Sequence, residues 1–207
     1  MKFPRWLLIP IVLILLCFAT AALLMCTSPG VPVLNYHQVE DKDGNPLTLY
    51  CDQFDQQMAY LAEEGYHTIT LDEMMDAAEN GTPLPEKPVV ITLDDGYVDN
   101  YEKAYPILKK YGFKATILVV TEMVGKKKGY LTWDELRDMQ QRGIEIGCHT
   151  ADHLPLVGLS RAEQEDQVRL AKLLMEWNGI KTVFSFSYPN GSCNEEIAAL
   201  LRDSNYL

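Results

Sequence analysis

The sequence predicts a parallel α/β protein of the (β/α)-barrel kind. Three observations carry that expectation. Apolar runs of strand character alternate with helix-period segments about six times, hairpin signals do not separate the runs, and chemically active side chains fall at the C-terminal ends of the runs.

The first run, 31–36, reads as a strand, after which Phe54, Met58 and Leu61 recur at helical spacing and stop at Gly65. A strand at 67–71 leads to a short helix at 72–80, which Gly81 ends as a C-terminal cap. Pro83, Pro85 and Pro88 make a stiff connection into the strand at 89–93. The next helix, 100–111, carries Tyr101, Tyr105 and Leu108 on one side and stops at Gly112, and a strand at 114–120 follows. Thr132 caps a helix running to Arg142, with Glu135 placed to complete a capping box. The strand at 144–148 runs directly into His149. Ser160, with Glu163 three residues on, opens a long helix to Trp177; a strand at 182–187 and a final helix from Asn194 complete the series.

The first thirty residues are a separate matter. Lys2 and Arg5 precede an almost uninterrupted apolar run at 6–25, long enough at about 1.5 Å per residue to cross a bilayer core of about 30 Å. Residues 1–26 therefore read as a membrane anchor or export signal, 27–30 as a linker and 31–207 as the folded domain. Positive charge ahead of the run predicts a cytoplasmic N-terminus with the domain exported, as in a single-pass protein of the cell membrane. Ala19-Thr20-Ala21 fits a cleavage site, but a cut there leaves apolar Leu23 and Met25 at the new terminus, so an uncleaved anchor is favoured. Met25 is too bulky to make Cys26 a good lipid-attachment site.

The 207 residues carry a formal net charge of -11, which leaves no basic field for nucleic acid. The only basic run, Lys126-Lys127-Lys128, lies between Gly125 and Gly129 and reads as a solvated loop. Cys51, Cys148 and Cys193 follow no disulfide framework. Cys148 adjoins His149 but reads as a small buried residue at a strand end rather than a ligand.

Thr92-Leu-Asp-Asp-Gly96 closes an apolar strand, and His149-Thr-Ala-Asp-His153 follows another about fifty residues later. An Asp-Asp-Gly alone is an ordinary turn. Paired with two of the chain's four histidines in one H-x-x-x-H segment, it supplies the parts of a one-metal hydrolytic site.

With those motifs the chain resembles the polysaccharide deacetylase family, also called the NodB-homology domain or carbohydrate esterase family four. Thr92 to Tyr97 is similar to its first signature and Cys148 to His153 to its second. Leu34-Asn-Tyr-His-Gln-Val39, Leu131-Thr-Trp-Asp-Glu-Leu136 and Phe186-Ser-Tyr-Pro-Asn-Gly191 agree further, in the expected order. The resemblance spans roughly 31–207 and implies a deformed (β/α) barrel. It implies that Asp95, His149 and His153 hold one divalent ion, Zn²⁺ first with Co²⁺ or Ni²⁺ as alternatives, and that Asp94 is the general base acting on a metal-bound water. It places the main-chain N–H of Asn190 at the oxyanion, with Tyr188 and Tyr97 facing substrate. Ser187 stands where many members have arginine, and the Tyr-Pro-x-Gly form matches the subgroup that begins Tyr-His-x-Val. His37 belongs to that pattern and reads as structural ahead of substrate-facing. Relatives also carry a later strand whose Leu-x-His histidine protonates the leaving amine; no residue here matches it, so the barrel is expected to be incomplete at the C-terminus.

The function expected is removal of N-acetyl groups from a cell-surface or extracellular polysaccharide such as peptidoglycan, poly-N-acetylglucosamine or a chitin-like polymer. Two alternatives stay open: a glycan-binding surface module that retains the groove, and an O-acetyl esterase on the same scaffold. Binding without turnover marks the first, and preference for acetyl esters over acetamides marks the second.

Overall fold

The computed structural model describes residues 30–41, 45–181 and 183–206. The chain divides into two compact units, Met1–Val31 and Pro32–Leu207. The expected membrane run lies outside the described residues, and every strand and helix among the described residues belongs to the second unit. Among the described residues no helix is long and apolar enough to cross a membrane.

In chain order the strands are β1 (Val33–Tyr36), β2 (Gln38–Glu40), β3 (Thr48–Tyr50), β4 (His67–Ile69), β5 (Pro88–Asp95), β6 (Thr116–Val119) and β7 (Glu145–Cys148). The α-helices are α1 (Cys51–Glu63), α2 (Leu71–Asn80), α3 (Tyr105–Tyr111), α4 (Trp133–Gln141), α5 (Arg161–Glu165), α6 (Ala171–Trp177) and α7 (Glu195–Asp203).

β5 is the centre of a five-stranded parallel sheet. Val89, Val90, Ile91 and Leu93 are all buried, as expected of a central parallel strand covered on both faces. Val90 pairs with Val33 of β1 and also with Ile69 of β4, so those strands lie on opposite edges of β5. Thr92 and Leu93 pair with both β1 and β6. Hence β4 and β6 share one edge of β5 in succession, β4 along its first half and β6 along its second. β7 continues the sheet beyond β6.

The expected strand at 182–187 shrinks to a single parallel rung, Cys148 against Phe186. Cys148 N–H donates to Ser185 O (3.0 Å), Ser187 N–H donates to Cys148 O (2.9 Å), and Pro189, which has no N–H to give, ends the pairing. Among the described residues β1 is paired on one edge only and the sheet is open. The small parallel pair β2–β3 falls where sequence periodicity gave no strand, because three residues are too few to show alternation.

Helix ends follow their residues. Thr70, Thr132 and Ser160 each make a two-way capping box with a Glu three positions on, Asn194 accepts from Ile197 N–H, and Gly81 and Gly112 stop their helices at positive φ. The segment Asn100–Ala104 is a π turn ahead of α3. Pro106 in the next turn has no N–H to offer the Glu102 carbonyl, which accounts for the break in the α pattern. A second π turn, Asp166–Leu170, interrupts the long helix between α5 and α6. The inner face of α1 buries Phe54, Met58 and Leu61, each fully buried apolar side chain contributing about 1.5–3 kcal/mol.

A polar knot ties the start of α2 to β6 and β7. Leu71 N–H donates to Thr116 Oγ1 (3.2 Å), which donates to Glu145 Oε2 (2.8 Å), and Asp72 N–H donates to the same oxygen (3.2 Å). Burial first and the Glu145 charge second push the Asp72 carboxyl up to about 7.

Candidate metal centre

The site is built where β5, β6 and β7 end side by side. The sheet register sets Asp94 beside Leu118, Asp95 beside Val119, and Val119 beside Cys148. His149 N–H then donates to Val119 O at 2.8 Å. The two motifs, far apart in sequence, are thereby neighbours through one strand.

Asp95 leaves β5 at φ +73°, Thr150 sits at +69° and His153 at +61°. Positive φ is unfavourable for residues with a Cβ, and its concentration here turns the side chains inward instead of along the strands. The 150–153 turn is held by His153 N–H donating to Thr150 Oγ1 at 2.9 Å. Gly96 follows Asp95 at φ +76°, where a Cβ would meet Val119 Cγ1 at 2.9 Å; the tight departure of the chain needs glycine there.

Asp95 Oδ1 lies 3.6 Å from His149 Nε2 and 3.4 Å from His153 Nε2. Ligand atoms from all three lie within 4.8 Å of one another, and among the described residues this is the only such group. The two rings meet edge to face at 4.7 Å between centroids. His149 is buried, and its Nδ1 lies 2.9 Å from Ser187 O. That carbonyl can only accept, so Nδ1 carries the proton and Nε2 turns its lone pair toward Asp95. Burial lowers the His149 pKa below the usual histidine value, against opposing pulls from Asp94 and the Ser187 carbonyl. A neutral, oriented imidazole, a second imidazole and a carboxylate form a donor set that fits a divalent ion such as Zn²⁺.

Asp94 is 5 % exposed. Its Oδ2 accepts from Asn35 Nδ2 at 3.2 Å and from Ser187 Oγ at 3.5 Å, while its Oδ1 has no hydrogen-bond partner. Thr92 Oγ1 in turn donates to Asn35 Oδ1 at 3.3 Å. One carboxylate oxygen is thus fixed, and the other is left with its lone pairs uncommitted, as a proton acceptor requires.

These residues line a cleft of about 570 Å³. Asn35, His37, Asp94, Asp95, His149, His153, Ser187, Tyr188 and Asn190 all contribute to its wall. Asn190 sits at φ +54° in the 3₁₀ turn Pro189–Gly191. Tyr97 lies outside that lining: it bridges to Tyr130, the two rings 5.0 Å apart, and burial holds its phenol protonated. Cys148 is fully buried and outside the ligand group, its thiol pushed up to about 11 by burial.

Sequence reading missed one feature and ranked the roles of another differently. Asn35 orients Asp94 across 59 residues of chain; the available signal was a polar residue inside an apolar strand. His37, read from sequence as structural first, lines the cleft as its third histidine, held from behind by Asn100 Nδ2 donating to its carbonyl at 2.8 Å. Its association with the Tyr-His-x-Val pattern was the signal.

A parallel α/β sheet whose strand ends carry an Asp-Asp pair opposite an H-x-x-x-H turn defines a recognisable class of hydrolytic scaffold. The family model described as Polysaccharide deacetylase matches residues 81–207, more than half of the chain, and the chain belongs to that family. It is 37% identical over 188 residues to the Bacillus subtilis (strain 168) protein named "Putative polysaccharide deacetylase YxkH", covering 90% of this chain and 66% of that protein. It is 27% identical over 190 residues to the poly-beta-1,6-N-acetyl-D-glucosamine N-deacetylase of Staphylococcus aureus (strain MSSA476), covering 79% of this chain and 65% of that one. Among solved structures, the Streptococcus pyogenes deacetylase PplD in complex with acetate superposes with a TM-score of 0.81 at 30% identity, covering 85% of this chain and 80% of that chain. The chain spans just under two thirds of the two curated relatives.

Proposed function

We propose that this protein is a metal-dependent hydrolase that removes N-acetyl groups from an extracellular or cell-surface polysaccharide. The observation that carries the reading is one cleft holding both the Asp95, His149 and His153 cluster and a buried carboxylate, Asp94, with a free oxygen. The names of the S. aureus and S. pyogenes relatives support the substrate class and the acetyl group.

Asp95, His149 and His153 would hold the ion. When bound, it supplies Lewis acidity for the acetyl carbonyl and lowers the pKa of water. Asp94 accepts the proton of the attacking water at Oδ1, while Asn35 and Ser187 keep Oδ2 in place. The Ser187 carbonyl holds the His149 tautomer. Asn190 lines the cleft on the side of the 3₁₀ turn, where a main-chain N–H can face developing negative charge. His37 lines the same cleft outside the ligand group, where an imidazole can protonate a leaving amine. The N-terminal apolar run would tether the domain at the outer face of the membrane, a part of the proposal checked by fractionation of the full chain.

The test is acetate release from an N-acetylglucosamine oligomer by the full-length, metal-loaded protein. Asp94→Asn is expected to lower kcat by about 10²–10⁴-fold with metal content unchanged, whereas His153→Ala loses the metal itself. Acetate release that survives Asp94→Asn at full rate would defeat the assignment.

A further inference from the structure

We propose that a second cleft, across the 149–153 loop from the metal cluster, binds the cationic amino-sugar units that deacetylation produces. It would hold a partly deacetylated chain while the next acetylated unit reaches Asp94. This rests on the activity proposed above.

The loop is a shared wall. His149 and His153 line the cleft already described, and Ala151 and Asp152, between them in sequence, line the other, which encloses about 600 Å³. The wall is fixed to the sheet by Thr121 N–H donating to Thr150 O (3.2 Å) and Glu122 N–H donating to Ala151 O (2.9 Å).

One side of this second cleft is apolar and unusually open. Leu170, Leu173, Leu174 and Trp177 follow the spacing that puts residues on one helix face. Trp177 is 91% exposed, so its indole packs against almost nothing of its own chain. The other side is acidic: Glu122, Asp152 and Asp166 line it, and no lysine or arginine does. Glu122 is partly offset by Lys126 at 2.5 Å. Asp152 is held in place by a buried glutamine, its N–H donating to Gln167 Oε1 (3.0 Å) and its Oδ2 accepting from Gln167 Nε2 (2.9 Å). Thr121, wholly buried, also lines the cleft, and its Oγ1 has no partner.

An exposed indole beside carboxylates fits a ligand with a C–H-rich face and a positive charge. A glucosamine unit has both, because loss of the acetyl group replaces a neutral amide with an amine that is protonated in mild acid. Other occupants fit less well. An anionic membrane surface meets like charge, a second copy of a chain of net charge -11 brings the same carboxylates, and a fully acetylated glycan leaves them without a counter-charge.

The experiment uses the full-length, metal-loaded protein carrying Asp94→Asn, so that nothing turns over, titrated calorimetrically with hexaglucosamine or hexa-N-acetylglucosamine at pH 6. Hexaglucosamine is expected to bind, about tenfold more weakly after Trp177→Ala and after the pair Asp152→Asn and Asp166→Asn, and more weakly as salt rises. The acetylated hexamer should be indifferent to both changes. Equal hexaglucosamine affinity in all variants overturns the proposal, as does saturable binding of an amphipathic leucine-lysine peptide with none of hexaglucosamine. Activity is read separately in the protein with Asp94 intact. Loss of Trp177-dependent binding in a protein that releases acetate overturns the cleft and leaves the activity. Trp177-dependent binding in a protein that releases none overturns the activity and leaves the cleft.

Discussion

At the scale of single residues, the site separates into groups that would touch the reacting atoms and groups that aim them. Asn35 belongs to the second kind, since among the described residues its amide hydrogen-bonds Asp94 and Thr92. A hydrogen bond to a charged group is worth about 1.5–3 kcal/mol, so Asn35→Ala should lower kcat by about 10–100-fold with KM and metal content unchanged. His37 is expected to behave differently. If it protonates the leaving amine, His37→Gln costs about 10²–10⁴-fold on an acetamide and much less on an acetyl ester, whose leaving oxygen needs no such help. Equal losses on both substrates would remove His37 from that role. The Asp-Asp pair and the H-x-x-x-H segment were legible in the sequence because each is a local pattern at the end of an apolar run. Asn35 was not, because its partner lies 59 positions away and only the β1–β5 register joins them.

At the scale of elements, the same contrast holds. β5 announces itself as a buried parallel strand through Val89, Val90, Ile91 and Leu93, broken only by Thr92, and the capping boxes at Thr132 and Ser160 are spelled out by a Glu three positions on. The succession of β4 and β6 along one edge of β5 has no local signature, since it depends on where two separate strands stop. Nor does the reduction of 182–187 to one rung, which depends on contact with β7. That contact is close: a Cβ on Gly147 would overlap Ser185 Oγ and come within 3.0 Å of Leu118 Cδ2. Gly147→Ala should therefore destabilise by about 1–3 kcal/mol, the range for overpacking a filled interior. Adding Ser185→Gly should recover part of the loss in a denaturant titration.

For the molecule as a whole, the buried link between α2 and the sheet makes stability depend on pH in a direction opposite to ordinary acid unfolding. The Asp72 carboxyl is pushed from 3.8 up to about 7 in the folded protein. Between those values the folded state holds a proton that the unfolded chain has released, so the contribution is complete below about 4 and is lost as pH rises through 7. Asp72→Asn, which keeps a neutral group in place, should gain stability relative to the parent above pH 7, and the gain should vanish near pH 4. Thermal melts across that interval measure it, and a gain that does not vary with pH would refute the linkage.

The single rung at Phe186 has a consequence for the whole assembly. Ser187, the next residue, supplies the carbonyl on His149 and the hydroxyl on Asp94, and among the described residues its segment is stitched to β7 by two backbone bonds, one from Ser187 N–H and one to Ser185 O. Local breathing at that stitch would disarm the proposed proton acceptor and release the His149 tautomer in the same instant, so that the proposed site fails as a unit rather than by degrees. Deuterium uptake at the Ser187 and Cys148 amides should then keep time with thermal inactivation, well before the sheet itself melts.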